Sequence, residues 1–222
     1  MADTRVKLQP YEYIENPVRK DNGVSALIED SPIMRDYLGK DKGTRGIIFP
    51  YTPVFALSAS STYNEYQTTH SNYNVLAYSM SNVSPFTITA QFTCGTLEES
   101  RYSMAVIHFF RTVTKSRFGI DDEFRGAPPP LLKFSAYGDL IIRNAPVVVG
   151  NFTMTFSDDV DYVDVTFPNT TFLSRIPVIF TISVELKPQY LPTKQFKEFS
   201  ITEFANGNLI KANEPRVDLP FL

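Results

Sequence analysis

Apolar and polar residues alternate along several segments of the central part of the chain. In PFTITAQFT, residues 85–93, every second residue is apolar and most of the residues between are threonine. Such alternation is typical of a β-strand with one buried and one exposed face. The same pattern recurs in NFTMTF, residues 151–156, and in IPVIFTISVELKP, residues 176–188. The predicted buried positions are Phe86, Ile88, Ala90, Phe92, Phe152, Met154, Phe156, Val178, Phe180, Ile182, Val184 and Leu186.

Further strands are predicted between these segments. Residues 131–167 predict strand, turn, strand, strand, turn and strand, with turns at YGD (137–139) and SDDVD (157–161) and an interruption at NAP (144–146). The polar stretch STYNEYQTTHSNYN, residues 61–74, is rich in Tyr, Asn and Thr. We expect it to form an extended hairpin or a projecting loop.

One segment has the spacing of a helix instead. Thr96 and Glu99 form a T-x-x-E capping box, and Gly119 is a natural helix stop. Apolar residues recur at helical spacing between them, and basic residues occupy the last turns. The prediction is a helix over residues 97–117, about 21 residues or about 30 Å long.

The two ends of the chain lack this regular patterning. Residues 1–46 are predicted to form an N-terminal arm, with one short helix capped by Ser31, begun at Pro32 and stopped at Gly39. Residues 189–222 are predicted to form a C-terminal arm with occasional hydrophobic anchors. The region between, 47–188, is predicted to be one mainly β domain, an antiparallel β-sandwich or barrel with one packed α-helix.

Composition supports a folded protein. Apolar residues make up 43% of the 222 residues, so a large core can form. The single cysteine excludes an internal disulfide and points to folding in a reducing cytoplasm. No apolar run reaches the roughly 18 residues that would span a membrane, and the N-terminus lacks the apolar core of a signal peptide. We therefore expect no membrane insertion.

The net charge of −3 is unevenly distributed. Basic and acidic residues balance in 1–46 and in 188–222, so the excess of negative charge lies in the β-rich centre. Tight binding of nucleic acid requires Lys and Arg on phosphates, which this centre is short of.

Candidate catalytic residues are few. Cys94 with His70 or His108 could in principle supply a nucleophile and a base. Cys94 ends an alternating strand, however, and His108 lies between two apolar residues of the predicted helix, so both are better explained by packing. We expect no catalytic residue and no enzymatic activity.

The best candidate for a metal site is SDDVDYVD, with Asp158, Asp159, Asp161 and Asp164. It lacks the glycine and the distal glutamate of a calcium-binding EF-hand loop, and a solvated turn explains it. GKDKGTRG, residues 39–46, lacks the spacing of a phosphate-binding loop. No cofactor and no metal is expected.

The order of elements resembles the tail-tube fold of contractile-tailed bacteriophages. More closely, it looks like the baseplate tube proteins, or tail-tube initiators, of myovirus-type phages. The resemblance is carried by residues 86–119, 128–156 and 176–187, which include APPPLLKFSAYG, IIRNAPVVVGNFTMTFS and IPVIFTISVEL.

This resemblance implies a structural virion protein of the tail or baseplate, assembled in the host cytoplasm. Six copies would form a ring at the baseplate end of the tail tube and template or extend the tube through which DNA passes transiently. Its partners would be itself, other tail-tube and baseplate proteins, and the tape-measure protein. The arms favour a component at the tube end, and residues 61–74 could dock onto the next ring.

Three alternatives remain open at the level of sequence. The chain could be a bulk subunit of a phage tail tube or of a related injection system. It could be a ligand- or carbohydrate-binding β-sandwich, with the tyrosine-rich loop 62–78 as its binding face. An enzyme ranks last.

Overall fold

The computed structural model describes residues 5–11, 24–39, 45–119, 125–138, 141–168, 171, 173–190, 192–207, 209 and 222. Its strands are β1 (Lys7–Pro10), β2 (Ile47–Ile48), β3 (Val54–Phe55), β4 (Ala59–Tyr66), β5 (Val75–Val83), β6 (Phe86–Thr93), β7 (Leu132–Ala136), β8 (Ile142–Phe156), β9 (Tyr162–Thr166), β10 (Leu173–Pro177) and β11 (Ile179–Pro188). Its helices are α1 (Val24–Asp30), α2 (Arg35–Leu38), α3 (Leu97–Val113), α4 (Pro192–Glu198) and α5 (Ile201–Ala205).

Seven of the strands form one antiparallel sheet in the order β2-β1-β7-β8-β11-β6-β3. The sheet curls into half of a barrel, which confirms the predicted mainly β fold with few helices. Strands β4 and β5 form a separate hairpin, and β9 and β10 form a second small sheet. The curl gives the large sheet an inner face that has to be covered, because its side chains are apolar.

The predicted alternation of β6 and β11 is confirmed. The two strands pair without a break from Ile179 opposite Thr93 to Leu186 opposite Phe86. Their inward-facing residues are almost completely buried. Phe92 stacks on Phe180 with ring centroids 5.5 Å apart, so aromatic contacts join the two strands at the centre of the core.

The predicted interruption at residues 144–146 is wrong, because β8 runs through it as one 15-residue strand. Asn144 has a φ of 52°, and the pairing of β7 with β8 shifts register here. The Ser135 hydroxyl accepts the Asn144 backbone N–H at 2.9 Å and donates to Asn144 Oδ1 at 3.2 Å. These two hydrogen bonds support the irregular residue, so pairing resumes on either side of it.

Helix α3 begins where the capping box predicts. The Thr96 hydroxyl accepts the backbone N–H of Glu99 at 3.3 Å, and Glu99 Oε2 accepts that of Thr96 at 3.1 Å. The helix ends at Val113 rather than at the predicted residue 117. The Thr114 hydroxyl donates to a carbonyl of the last turn, and Arg117 pairs with Ala127 in a β-bridge instead of continuing the helix.

Helix α3 covers the apolar inner face of the sheet. Phe110 stacks on Phe152 of β8 at 5.1 Å. The Tyr102 hydroxyl donates to the Ile48 carbonyl at 2.6 Å and accepts the Ile48 N–H at 2.9 Å, which fixes the helix to β2. Burial of this hydroxyl raises the pKa of Tyr102 to about 12. One helix therefore contacts the sheet at a central strand and at one edge.

Residues 1–46 differ in one respect from the predicted arm, because their described parts belong to the core. Strand β1 lies inside the large sheet, between β2 and β7, with Leu8 opposite Phe134. Helix α1, which the patterning did not predict, buries Val24 and Ile28. A four-residue strand and a seven-residue helix are too short for their periodicity to be recognised in sequence.

The short helix predicted after Ser31 forms one turn later, at Arg35, and stops at Gly39 as predicted. The Ser31 hydroxyl accepts the Met34 N–H at 3.3 Å within the preceding turn. Parts of the predicted arms, residues 1–4, 12–23, 40–44 and most of 208–221, lie outside the described residues. The division of the chain into arms and a domain otherwise stays a prediction.

We expect Leu8→Ala to destabilise the protein by about 2 to 5 kcal/mol, because it removes a buried side chain from an interior strand. Gln9→Ala is the matched control, since Gln9 is the next residue of β1 and is only partly buried. The free energy of unfolding from urea titrations measures both. Equal stability of Leu8→Ala and the unsubstituted chain would show that β1 is not part of the core.

Candidate functional site

The outer face of the large sheet carries a patch of uncharged polar side chains, which we call the threonine face. Its residues lie on β6, β11 and β8 in three cross-strand rows. The Thr89 and Ser183 hydroxyls are hydrogen-bonded at 3.2 Å. The side chains on β6 and β8 are exposed, and those on β11 are half-buried between them. The threonine face consists of Thr87, Thr89, Gln91, Thr181, Ser183, Glu185, Asn151, Thr153 and Thr155.

Charge is nearly absent from the threonine face. Glu185 is its one ionisable residue, and Lys187 at its border lies 3.8 Å from that carboxylate. Among the described residues of the sheet, Lys133 of β7 and Arg143 near the start of β8 lie outside the three cross-strand rows of this face. The face is hydrated by hydroxyl and amide groups, yet offers almost nothing that would hold a phosphate.

The edge of the sheet beside the threonine face is largely open. Strand β3 pairs only with Ile88 and Thr89 of β6. Within the described part of the chain, the stretch from Ala90 to Thr93 has no strand partner on that side, and the side-chain contact there is the 3.0 Å hydrogen bond between the Tyr51 and Thr93 hydroxyls. Unpaired N–H and C=O groups on such an edge are a ready template for a strand of another molecule.

The β4–β5 hairpin projects from this same edge of the sheet. Ser84 N–H donates to the Ser58 carbonyl at 3.0 Å at its base, and β5 leads through Ser84 and Pro85 into β6. All eight side chains of β4 are exposed, and so are most of those of β5. The segment 61–74, predicted to be an extended hairpin or a projecting loop, forms most of β4 and the tip of this hairpin, and β5 follows it.

Both faces of the hairpin carry exposed aromatic and aliphatic side chains among polar ones. The strand register places Tyr63, Tyr78 and Leu76 on one face, and Tyr66, Val75 and Met80 on the other. Each of these side chains is more than half exposed. The Tyr63 and Tyr78 rings are in edge-to-face contact at 5.8 Å, but nothing else among the described residues covers them. An isolated two-stranded hairpin is marginally stable in water, and exposed apolar side chains of this kind are typical of an interaction surface.

The residues considered for nucleophilic catalysis lie in three different places. Cys94 is fully buried next to Ser100 and Ser103, and burial raises the pKa of its thiol. Cys94 is thus next to Ser103 of α3, whereas His108 is five residues further along. At 100° per residue, His108 lies about 140° around the helix axis from Ser103, on a different side of the helix. His70 lies at the exposed tip of the hairpin, with a φ of 62°.

The aspartates of residues 157–164 do not converge. Asp164 Oδ1 accepts a hydrogen bond from Arg175 Nε at 2.6 Å, which joins β9 to β10. Among the residues that the structure describes, no three His, Cys, Asp or Glu side chains are grouped to hold a metal ion. In the same ranges, no helix is long and apolar enough to cross a membrane.

The sequence shows alternating threonines on single strands. It does not show that they form one continuous face, because that depends on the order of β8, β11 and β6 in the sheet. No protein-family model matches the chain, and no curated protein matches it either.

The stability of the protein should depend on pH through His108. Burial first, and the neighbouring Arg111 second, lower the pKa of His108 below its usual 6.5. The unfolded chain then binds a proton that the folded protein releases. The contribution of His108 to the free energy of unfolding is therefore expected to be fully present above the ordinary pKa of histidine. It is lost as the pH drops through the lower pKa of His108 in the folded protein.

Urea titrations between about pH 8 and pH 5 test this, because linkage predicts a smaller acid-induced loss of stability for His108→Gln than for the unsubstituted chain. His70→Asn is the control at an exposed histidine, and asparagine tolerates its positive φ. An acid-induced loss of the same size in His108→Gln and in the unsubstituted chain would contradict the assignment.

Proposed function

We propose that the chain is a structural subunit of a contractile phage tail, six copies of which form a ring at the baseplate end of the tail tube. The observation that carries this proposal is the threonine face, which lies beside an open sheet edge on β6. In the proposed ring this face lines the lumen, and the ring templates or extends the tube.

The chemistry of the threonine face suits a channel through which DNA slides. Phosphates are held by Lys and Arg, and each such contact adds to the work of moving the nucleic acid. Hydroxyl and amide side chains keep the wall hydrated without binding phosphates tightly. The carboxylate of Glu185 adds weak repulsion and is partly compensated by Lys187.

The open edge of β6 supports assembly into a closed ring. When an edge strand pairs with a different surface of the next copy, the contact is head-to-tail, and repetition closes a ring if the rotation allows. Sheets of adjacent copies would then continue one another around the lumen, which removes the exposed edge.

The hairpin supplies the contact area that a ring interface requires. Stable interfaces bury about 800 Å² on each partner and are enriched in tyrosine and methionine at their centre. The exposed Tyr63, Tyr66, Tyr78 and Met80 match that composition. Residues 59–83 carry one formal charge, Glu65, so little electrostatic desolvation opposes their burial.

In this proposal the protein resides in the virion and assembles in the host cytoplasm, with other tail-tube and baseplate proteins and the tape-measure protein as further partners. The tyrosine-rich hairpin also favours a second candidate, a carbohydrate-binding module, because tyrosine rings stack on sugars. Binding of oligosaccharides by a chain that stays monomeric would favour that second candidate.

Excision of the hairpin should separate folding from assembly. We expect replacement of residues 59–83 by Asn-Gly to leave the sheet folded, because Ser58 and Ser84 already meet at the hairpin base and the excised side chains are exposed. Light scattering after size-exclusion chromatography should show the loss of the ring, and thermal unfolding should show a retained cooperative transition.

The combined substitution Tyr66→Ser, Val75→Thr and Met80→Thr provides a matched variant that keeps the hairpin but removes the apolar side chains of one face. It should weaken the ring without unfolding the chain. Rings of unchanged stability in both variants would refute a role of the hairpin in assembly.

A further inference from the structure

A second surface, away from the hairpin, forms a groove of about 560 Å³. Met104 and Ile107 of α3, Met154 and Phe156 of β8, and Leu173 of β10 line it. Phe156 and Leu173 are 48% and 65% exposed, so the groove is open to solvent and apolar. Its volume is within the usual range for sites that bind a ligand or a short segment of chain.

The groove follows the free edge of β10. Four consecutive residues of this strand, 173–176, line the groove. Successive side chains of a strand point to opposite faces, so a groove that contacts four in a row has to run along an edge. Strand β9 pairs with one edge of β10, and no described strand pairs with the edge that faces the groove.

The positive charge of the groove comes from Arg111. Arg111, His108 and Arg175 line it, and no acidic residue is among the described residues that do. Arg175 is paired with Asp164. Arg111 has no carboxylate partner in the described part of the chain, and its neighbour is the partly buried His108. An apolar groove with an unpaired guanidinium complements an apolar segment that carries a carboxylate.

We propose that this groove binds an extended segment of a partner protein, which adds a strand to the free edge of β10, sets aliphatic side chains into the groove and places a carboxylate at Arg111. Strand addition of this kind derives affinity from main-chain hydrogen bonds and specificity from pockets for alternate side chains. The five residues of β10 correspond to about 17 Å of bound strand.

The proposed occupant belongs to another protein rather than to a described segment of this chain. In the described ranges, the stretches that alternate aliphatic and acidic residues are YVDVT of β9 and SVEL of β11, and both already lie inside sheets. The hairpin cannot reach the groove of its own chain. It leaves the sheet at the Phe86 end of β6, whereas Met154 and Phe156 lie across β11 from the Phe92 end. This inference goes beyond the proposed ring and does not depend on it.

Fluorescence anisotropy of the full chain with two labelled peptides tests the proposal, namely Leu-Glu-Leu-Glu-Leu and its lysine counterpart Leu-Lys-Leu-Lys-Leu. We expect the acidic peptide to bind at least about tenfold more tightly, as a charge-assisted hydrogen bond to Arg111 predicts. Arg111→Glu should abolish or reverse this preference. Lys115→Glu, the same charge change outside the groove, should leave it unchanged.

Hydrogen exchange provides a second readout, since the acidic peptide should protect backbone amides of β10 within residues 173–176. Equal affinity for the two peptides, equal effects of Arg111→Glu and Lys115→Glu, or absence of both binding and protection would each overturn the proposal. Self-association that Arg111→Glu abolishes and the acidic peptide competes away would place a second copy in the groove and overturn the assignment to another protein.

Discussion

The packing of α3 against the inner face of the curled sheet is the interaction on which the rest of the structure depends. A half-closed sheet exposes an apolar concave surface unless another element fills it. Phe110 stacked on Phe152, and Tyr102 bonded to Ile48 through both backbone groups, hold the helix against that surface. Because one face of the sheet is thereby buried, the strand period of two assigns the opposite face to solvent. The threonine face therefore follows from the packing of α3 against the inner face of the sheet.

The position of α3 also determines which surfaces stay uncovered in a single chain. The helix leaves the outer edge of β6 and both faces of the β4–β5 hairpin uncovered, and further along its length it forms one wall of the groove beside β10. An open sheet edge, an isolated hairpin with exposed aromatic side chains and an apolar groove are all unfavourable in water when nothing covers them. A protein that presents them together is suited to assembly, and their different chemistry suits them to different neighbours.

Much of the fold was predictable because its strongest elements are local. The alternation in β6 and β11 predicts a strand from about ten residues of sequence, and the capping box predicts the start of α3 in the same way. The rest depends on contacts between distant residues. The continuity of β8 depends on Ser135 supporting Asn144, and the place of β1 depends on Leu8 meeting Phe134. The groove could not be predicted, since its walls come from α3, β8 and β10, and only the tertiary fold brings Arg111 near Leu173.

In the proposed ring, copies of this chain surround a lumen walled by the threonine face. Electron cryo-microscopy of the assembly formed by the full chain, alone or with co-expressed tail-tube subunits, would show this arrangement. We expect six-fold symmetry, with Thr89, Thr153 and Ser183 facing a central channel. A chain that stays monomeric under both conditions, or a ring whose threonine face is buried or turned outward, would contradict this proposal.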